Sequence, residues 1–393
     1  MLKYGVIEPS TSPYSPPIML VRKKDNTYRF CMDFRRLNSI TKFDIEPMGN
    51  QEDLIAKLHG DKIFTKLDFS KGYWQIPLDE ASKPLTVFTT PDGCYQFGKM
   101  PFGLQNSGAA FNRAMRKLLK GDKNADAYVD DVLRHTRDWP GHMVMLQDVF
   151  QRILCAKLTL RPSKCEIGSA EVDFVGHRIK EGQVEMDRGK LDRIRDAPQP
   201  TTKKEVRSFL GLAGYYRKFI PNFAEIAVPL TDLTKKGKPL KIEWGPAQES
   251  AFQTLKQQLT EAPILRLPDF ARPFIVQADA SDTGVGAALL QNFEDGLFPV
   301  AYASKKLLQR EKNYSVIERE CLAIVFAVQK YQKYLYGTEF VLHKDHRPLS
   351  SIQKCKTDSA RIMGWSLFLQ NYSFRIEAIK GSDNFAADYL SRT

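Results

Sequence analysis

Two aspartates stand side by side in AYVDDVL, Asp130 and Asp131, with apolar residues on both sides. Adjacent carboxylates repel each other and resist leaving water unless a cation compensates them. A third aspartate, Asp68, closes the run KIFTKLD. Each place lies at the end of an apolar, strand-like segment, where a turn can expose its carboxylates. Two such strands side by side would gather Asp68, Asp130 and Asp131 around a divalent metal ion. Oxygen donors suit Mg²⁺, which takes one or two carboxylates plus substrate phosphates. A pair of such ions roughly 3.5–4 Å apart serves nucleotidyl transfer. Asp-Asp is also a common turn dipeptide, so the pair by itself leaves a solvated turn open.

A second carboxylate is conspicuous on a helix. Stepping about 100° per residue through YSVIERECLAIVFAVQKYQKYLYG gathers Glu318, Arg319, Gln329, Gln332 and Lys333 on one side. Glu320 falls opposite, with Ile317, Ile324, Ala327 and Tyr331. A glutamate on the apolar side needs a cation or a hydrogen-bond partner, whereas Glu318 needs none. A buried ion pair with Lys or Arg is the structural alternative for Glu320. Asp279 ends the strand-like FIVQAD, ahead of a Gly-containing turn.

The elements that must position these groups follow from the pattern. The Pro-rich IEPSTSPYSPPIML is extended. PIMLVRKKDNTYRFCMDF predicts two strands around an RKKDNT turn, with Arg22, Lys23, Lys24, Arg29, Arg35 and Arg36 in and around it. NSGAAFNRAMRKLLKG predicts an amphipathic helix closed by Gly121, and DWPGHMVMLQDVFQRILCAKL a second. DAYVDDVLRH predicts a hairpin with the aspartates at its tip, and VDFVGHRIKEGQVEMD one turning near Glu181-Gly182. TTKKEVRSFLGLAGYYRKFI predicts a basic amphipathic helix. EFVLHKD predicts a strand, followed by a C-terminal strand and helix. Strands and helices alternate, so the class is α+β or α/β.

The chain is 393 residues, enough for two or three domains. Its formal charge of +12 suits a polyanionic partner such as nucleic acid. Six scattered cysteines form no CxxC, and no His cluster stands near them, so neither a zinc knuckle nor a disulfide framework is indicated. An intracellular, reducing compartment fits best. The longest apolar run, CLAIVFAV, is far short of a membrane span, and no membrane partner is expected.

Six ordered blocks now combine: VRKKDNTYRFCMDFRRLN, FTKLDFSKGYWQIPL, MPFGLQNSGAAF, AYVDDVL, LRPSKCEI and VDFVGHRI. Together they resemble the reverse transcriptases of gypsy-type LTR retrotransposons, relatives of the retroviral enzymes. FIVQADASDTGVGAAL, YSVIERECLAIVFAV, EFVLHKDHRPL and GSDNFAADYLSR resemble the ribonuclease H domain of the same elements.

The resemblance implies a right-hand polymerase followed by an RNase H-like mixed-sheet domain. It places fingers and palm in residues 1–190, a thumb and linking region in 191–261, and the RNase H-like domain in 262–393. It makes Asp68, Asp130 and Asp131 the polymerase metal triad, with Phe69 lending a carbonyl. Lys23 and Arg29 would grip an incoming deoxynucleoside triphosphate. The backbone of Lys71, Gly72 and Tyr73 would hold phosphate oxygens, and the Tyr73 ring would exclude a ribose 2′-hydroxyl. Phe102 and Gly103 would line the nucleotide pocket, and Lys164 would stand near the leaving pyrophosphate. Phe174, Val175 and Gly176 match a hairpin that steadies the primer end.

In the RNase H-like domain, Asp279, Glu320, Asp345 and Asp388 would hold two metal ions. Mg²⁺ is the expected ion, with Mn²⁺ as the alternative. RNA template, DNA primer and RNA–DNA hybrid are the expected partners, and the resemblance leaves monomer and homodimer both open. The basic helix between the domains would track a duplex backbone without reading sequence.

Several residues depart from the family pattern. Arg134 and His135 follow the aspartates where apolar residues and a serine are more typical, and are expected to loosen that strand's burial. Gly108 stands where a helix-starting proline is usual. Lys344 precedes Asp345 where threonine is usual, and would put a cation beside a metal ligand. A rival reading is therefore a repurposed copy that binds nucleic acid with one or both activities lost. It predicts salt-sensitive binding without primer extension.

Overall fold

The computed structural model describes residues 1–22, 26, 28–47, 49–122, 124–128, 131–237, 239, 241–344 and 359–378, with the backbone alone of Arg29 and Ala378. Lys23, Asp130, Asp345 and Asp388 lie outside the described residues, as does the Arg29 side chain. The chain divides into two compact units, Met1–Val175 and Gly176–Thr393.

In the first unit, β1 (Ile18–Arg22) and β2 (Tyr28–Met32) form the expected antiparallel hairpin. β3 (Ile63–Asp68) is followed by α1 (Ser107–Leu118), β4 (Ala125–Tyr128), β5 (Asp131–Thr136), α2 (Trp139–Cys155) and β6 (Glu166–Ser169). The four strands β4–β5–β3–β6 make one antiparallel sheet. Side chains alternate between the faces of a strand. Leu67 and Val132 therefore meet Phe111, Met115, Leu146, Val149 and Ile153 of the two helices in one core. Phe64, Lys66 and Asp68 of β3, with Asp131, Leu133 and His135 of β5, point to the other face. Asp138 caps α2 by accepting the Gly141 N–H at 2.8 Å, with Pro140 in the first turn.

Contrary to the expected loosening, β5 is buried from Val132 through Thr136. Arg134 is fully buried, ion-paired with Asp122, and donates to the Met145 carbonyl at 3.4 Å. His135 is clamped between Asp61 at 2.6 Å and Asp126 at 3.3 Å. Paired charges survive burial where lone ones do not. The partners, not the side chains' own polarity, decide the strand's depth.

In the second unit, β7 (His177–Lys180) and β8 (Gln183–Met186) form the hairpin expected at Glu181-Gly182. Then come α3 (Lys203–Tyr215), α4 (Pro246–Thr260) and β9 (Leu265–Arg266), which pairs with β8. α3 starts at a capping box in which Thr202 and Glu205 satisfy each other's backbone N–H. Of its cations, Lys203 is buried and donates to the Lys235 carbonyl, while Lys204 and Arg207 stay exposed.

The remaining elements are β10 (Phe274–Ala280), β11 (Gly284–Phe293), β12 (Gly296–Lys306), α5 (Val316–Lys330), β13 (Glu339–Lys344), α6 (Ala360–Leu369) and β14 (Ser373–Ala378). They build a mixed sheet in the order β12–β11–β10–β13–β14. Its first three strands are antiparallel, and β13 runs parallel to both neighbours. α5 packs on β10 and β11, burying Cys321, Ile324, Ala327 and Val328. The Tyr331 hydroxyl bonds the carbonyls of Ala287 and Ala301, pinning the helix end to the sheet.

Two expectations need correction here, and one helix was not foreseen. The helix expected after the C-terminal strand lies outside the described residues, and β14 is preceded by the unforeseen α6. Its sequence ARIMGWSLFL has apolar residues around its whole circumference, so no stripe announces it. Ile317 is 54% exposed rather than part of α5's buried side. Glu318 does have partners, closing a capping box with Ser315 and pairing with Arg361 at 2.6 Å.

Candidate functional site

The register of β3 against β5 sets Asp68 directly opposite Asp131. Opposed residues of an antiparallel pair share a face, so two carboxylates stand together where both strands end. Both are partly exposed, at 28% and 35% of the side chain. Lys164 comes within 3.9 Å of Asp68, and Lys66 within 3.3 Å of Asp131. Lys66 was not singled out from sequence. Its signal was the strand alternation, which puts residue 66 on the same face as residue 68. Lys66 also donates to the Asp173 carbonyl at 3.0 Å, which fixes its ammonium beside the acids.

The segment after Asp68 is held closely. The Arg161 N–H donates to the Asp68 carbonyl and the Ser70 N–H to the Thr159 carbonyl, each at 2.9 Å. Phe69 is buried in the core and bridges Leu160. Gln75, also missed from sequence, donates to the carbonyls of Ser70 and Thr159 and accepts the Thr159 N–H.

Lys71 takes a left-handed backbone with φ 52°, its ammonium 4.9 Å from the centre of the Trp74 ring. A β-carbon on Gly72 would meet the buried Phe111 ring at 2.9 Å, so only glycine fits this close approach. The half-buried Tyr73 ring stands edge-on to Phe102 at 5.2 Å and to Phe111 at 5.4 Å. Gly103, at φ +98°, has its carbonyl bonded by the Asn38 amide at 2.8 Å. Lys71, Gly72, Tyr73 and Phe102 thus form one neighbourhood that follows Asp68 in the chain. Lys23, Asp130 and the Arg29 side chain fall outside the described residues.

In the second unit, Asp279 lies near the end of β10, opposite Gly286. Glu320 lies on α5, which packs against that strand. The Lys344 ammonium pairs with Glu320 and donates to the Ala278 carbonyl at 2.7 Å. Lys344 is 1% exposed. A buried lysine is rare unless paired, and here the helix carboxylate and the carbonyl just before Asp279 both engage it. Asp345 and Asp388 lie outside the described residues. Among the described residues no three His, Cys, Asp or Glu side chains gather as a metal-binding group.

The two sets differ in their fit to a divalent ion. Asp68 and Asp131 offer oxygen donors side by side at a half-open strand end, which suits a hard cation. Glu320 does not fit as it stands, because an ammonium already compensates it. At about 4 Å and an effective dielectric near 20, two unit charges interact by roughly 4 kcal/mol. A divalent ion beside that ammonium would thus be opposed by about 8 kcal/mol.

Comparison with known proteins gives a consistent picture. Residues 21–179 match the family described as reverse transcriptase (RNA-dependent DNA polymerase). Residues 244–342 match the RNase H-like domain found in reverse transcriptase. The chain is 40% identical over 402 residues to the retrovirus-related Pol polyprotein from transposon 297 of Drosophila melanogaster, with 100% of this chain and 37% of that protein covered. It is 35% identical over 398 residues to the transposon Tf2-3 polyprotein of Schizosaccharomyces pombe, with 100% of this chain and 30% of that protein covered. The chain therefore spans about a third of the length of these curated relatives.

Among solved structures, the foamy viral protease-reverse transcriptase dRH in complex with double-stranded DNA aligns with TM-score 0.87 at 26% identity. That match covers 96% of this chain and 68% of the other. The foamy viral protease-reverse transcriptase in complex with RNA/DNA hybrid aligns with TM-score 0.79 at 26% identity, covering 100% and 53%. No helix among the described residues is long and apolar enough to cross a membrane.

Proposed function

The chain belongs to the reverse transcriptase and RNase H-like region of retrotransposon Pol polyproteins, and from that premise we propose that it extends a DNA primer on an RNA or DNA template. The observation that carries this reading is the register that pairs Asp68 with Asp131 at a half-open strand end. The primer 3′-hydroxyl attacks the α-phosphorus of a deoxynucleoside triphosphate; a phosphodiester forms and pyrophosphate leaves. Asp68, Asp130 and Asp131, with the Phe69 carbonyl, would hold Mg²⁺ or Mn²⁺. Such an ion neutralises the triphosphate and favours the ionised attacking oxygen.

The chain's own side chains do the rest of the positioning. Lys164, near Asp68, stands ready to meet negative charge developing on the leaving group. Lys23 and Arg29 grip the triphosphate, and the Lys71–Tyr73 backbone holds its oxygens. Gly72 keeps that turn against Phe111, which aims the Tyr73 ring at the sugar and excludes a 2′-hydroxyl. Gly103 and Phe102 line the nucleotide pocket. Holding the reactants in line supplies much of the acceleration.

The C-terminal unit, with Asp279, Glu320, Asp345 and Asp388, is the candidate for cleaving the RNA strand of an RNA–DNA hybrid. The finer assignment is a gypsy-type LTR element, with fingers and palm in 1–190, thumb and linker in 191–261, and the RNase H-like domain in 262–393. Likeness to polymerases solved with double-stranded DNA and with RNA/DNA hybrid supports nucleic-acid partners.

Primer extension on an RNA template with Mg²⁺, run beside Asp130→Asn, tests the polymerase reading. Extension that vanishes in the variant supports it. Extension that survives Asp130→Asn refutes the palm assignment, and equal inertness of both proteins favours a nucleic-acid binder without turnover. Cleavage of a labelled hybrid, beside Asp279→Asn, tests the second unit separately.

A further inference from the structure

The Lys344 ammonium is positioned where the RNase H-like reading would put a metal ion's positive charge. It is almost wholly buried, ion-paired with Glu320 on α5, and bonded to the carbonyl of Ala278 on β10. Residue 278 immediately precedes Asp279, so the ammonium lies between the helix and strand that carry the two described acids of this centre.

The side chain cannot leave cheaply. β13 runs parallel beside β10, with His343 in register with Gln277, so the Lys344 backbone is fixed at the sheet's edge of the site. Swinging the ammonium out would break its ion pair with Glu320 and its hydrogen bond to the Ala278 carbonyl together. The neighbouring cation Arg319 is engaged elsewhere, with Asp282 and the Ser281 carbonyl, and does not compete for Glu320.

We propose that Lys344 is a tethered cation that replaces a divalent metal ion at Glu320, so that the C-terminal carboxylate centre binds metal weakly and cleaves hybrid poorly or not at all. This rests on the RNase H-like reading of that centre. A +1 charge fixed by covalent attachment compensates the acid permanently. It supplies no open coordination position and no water with a lowered pKa, which a bound metal would provide. The centre keeps its fold and loses the ion that makes it a hydrolase.

The test is Mn²⁺ binding to the full chain, read from the electron paramagnetic resonance signal of free Mn²⁺. An Asp68→Asn/Asp130→Asn background removes ions from the polymerase centre. In that background Lys344→Met, a neutral side chain of similar length, is expected to tighten Mn²⁺ binding at least tenfold. Adding Glu320→Gln to Lys344→Met should abolish the gain. Glu320→Gln alone, with Lys344 intact, should change Mn²⁺ affinity less than threefold; this arm remains decisive if Lys344→Met does not fold. A tenfold loss with Glu320→Gln alone, or no gain in folded Lys344→Met, overturns the proposal.

Hybrid cleavage with both polymerase aspartates intact separates this inference from the reading beneath it. Glu320-dependent cleavage at Mg²⁺ levels that leave Lys344→Met no faster overturns the tethered-cation proposal and keeps the ribonuclease. A Lys344→Met protein that gains Mn²⁺ but never cuts hybrid upholds the tethered cation and removes the ribonuclease.

Discussion

Gly72 illustrates how a single missing methyl shapes the nucleotide side of the proposed polymerase centre. A β-carbon there would meet the Phe111 ring at 2.9 Å, and that ring is buried in the core. Gly72→Ala is expected to destabilise the first unit by about 1–3 kcal/mol through overpacking. It should also slow primer extension by displacing Tyr73, as urea melts and extension assays on the same preparation would reveal. Among the acids, Asp68→Asn should lower extension by on the order of 10²–10³-fold or more, the scale for losing a group that stabilises developing charge. Asp131→Asn should cost less, because Lys66 already compensates that carboxylate at 3.3 Å. Equal losses in single-turnover rates would contradict this ranking.

The strand β5 shows what an element owes to residues far away in the chain. Burial by itself lowers the His135 pKa, but hydrogen bonds to Asp126 and Asp61 outweigh it and raise the value above 6.5. Asp61 and Asp126 face the ring from two sides, and Arg134, its neighbour on the strand, projects to the opposite face. A raised folded-state value means the stabilisation is fully present below pH 6.5 and fades as pH climbs through the folded value. His142, behind β5, acts oppositely: burial first, then the charges of Arg134 and His135, lower its pKa. Its neutral form, which bonds Thr65 and Thr136, is favoured above 6.5 and weakened in acid. The first unit should therefore lose stability on both sides of a near-neutral optimum. His135→Leu should remove the alkaline limb, while leaving buried Asp61 without its imidazole and Asp126 with Lys57 at 3.3 Å as its remaining cation, at a cost of about 3–5 kcal/mol. Chemical denaturation between pH 5 and about pH 8.5 would register both effects.

Much of this architecture was legible in order of residues. Hairpins bounded by RKKDNT and by Glu181-Gly182, the strand ending in Asp68, and the two amphipathic helices of the first unit follow from alternation and helical stripes. The depth of Arg134 and His135 was not legible, because Asp122, Asp61 and Asp126 reach them only through tertiary folding. The same holds at Glu320. Its need for a cation could be read from the helical wheel, but the identity of that cation, 24 residues on at a strand end, could not.

For the molecule as a whole, the +12 charge sets how it meets a polyanion. A footprint of about 6–10 phosphate contacts would weaken hybrid binding by roughly 10³–10⁵-fold between about 50 and 200 mM salt. Lys204, Arg207 and Arg217 are exposed cations on and just beyond α3 that could make such contacts, Arg207 while also donating to the Thr234 carbonyl at 3.2 Å and Lys203 being spent on its own fold. Replacing each in turn by alanine should flatten the salt dependence by about one unit of slope per lost contact. Fluorescence anisotropy with a labelled duplex measures this, and an unchanged slope would remove α3 from the interface.

Lys344 also bears on what becomes of a finished strand. A polymerase that runs while its own trimming centre idles leaves each new DNA annealed to the transcript it copied. Synthesis of the complementary strand then waits until some other nuclease clears the way. Propagation of the element would depend on the cell or on a sister copy for that one service.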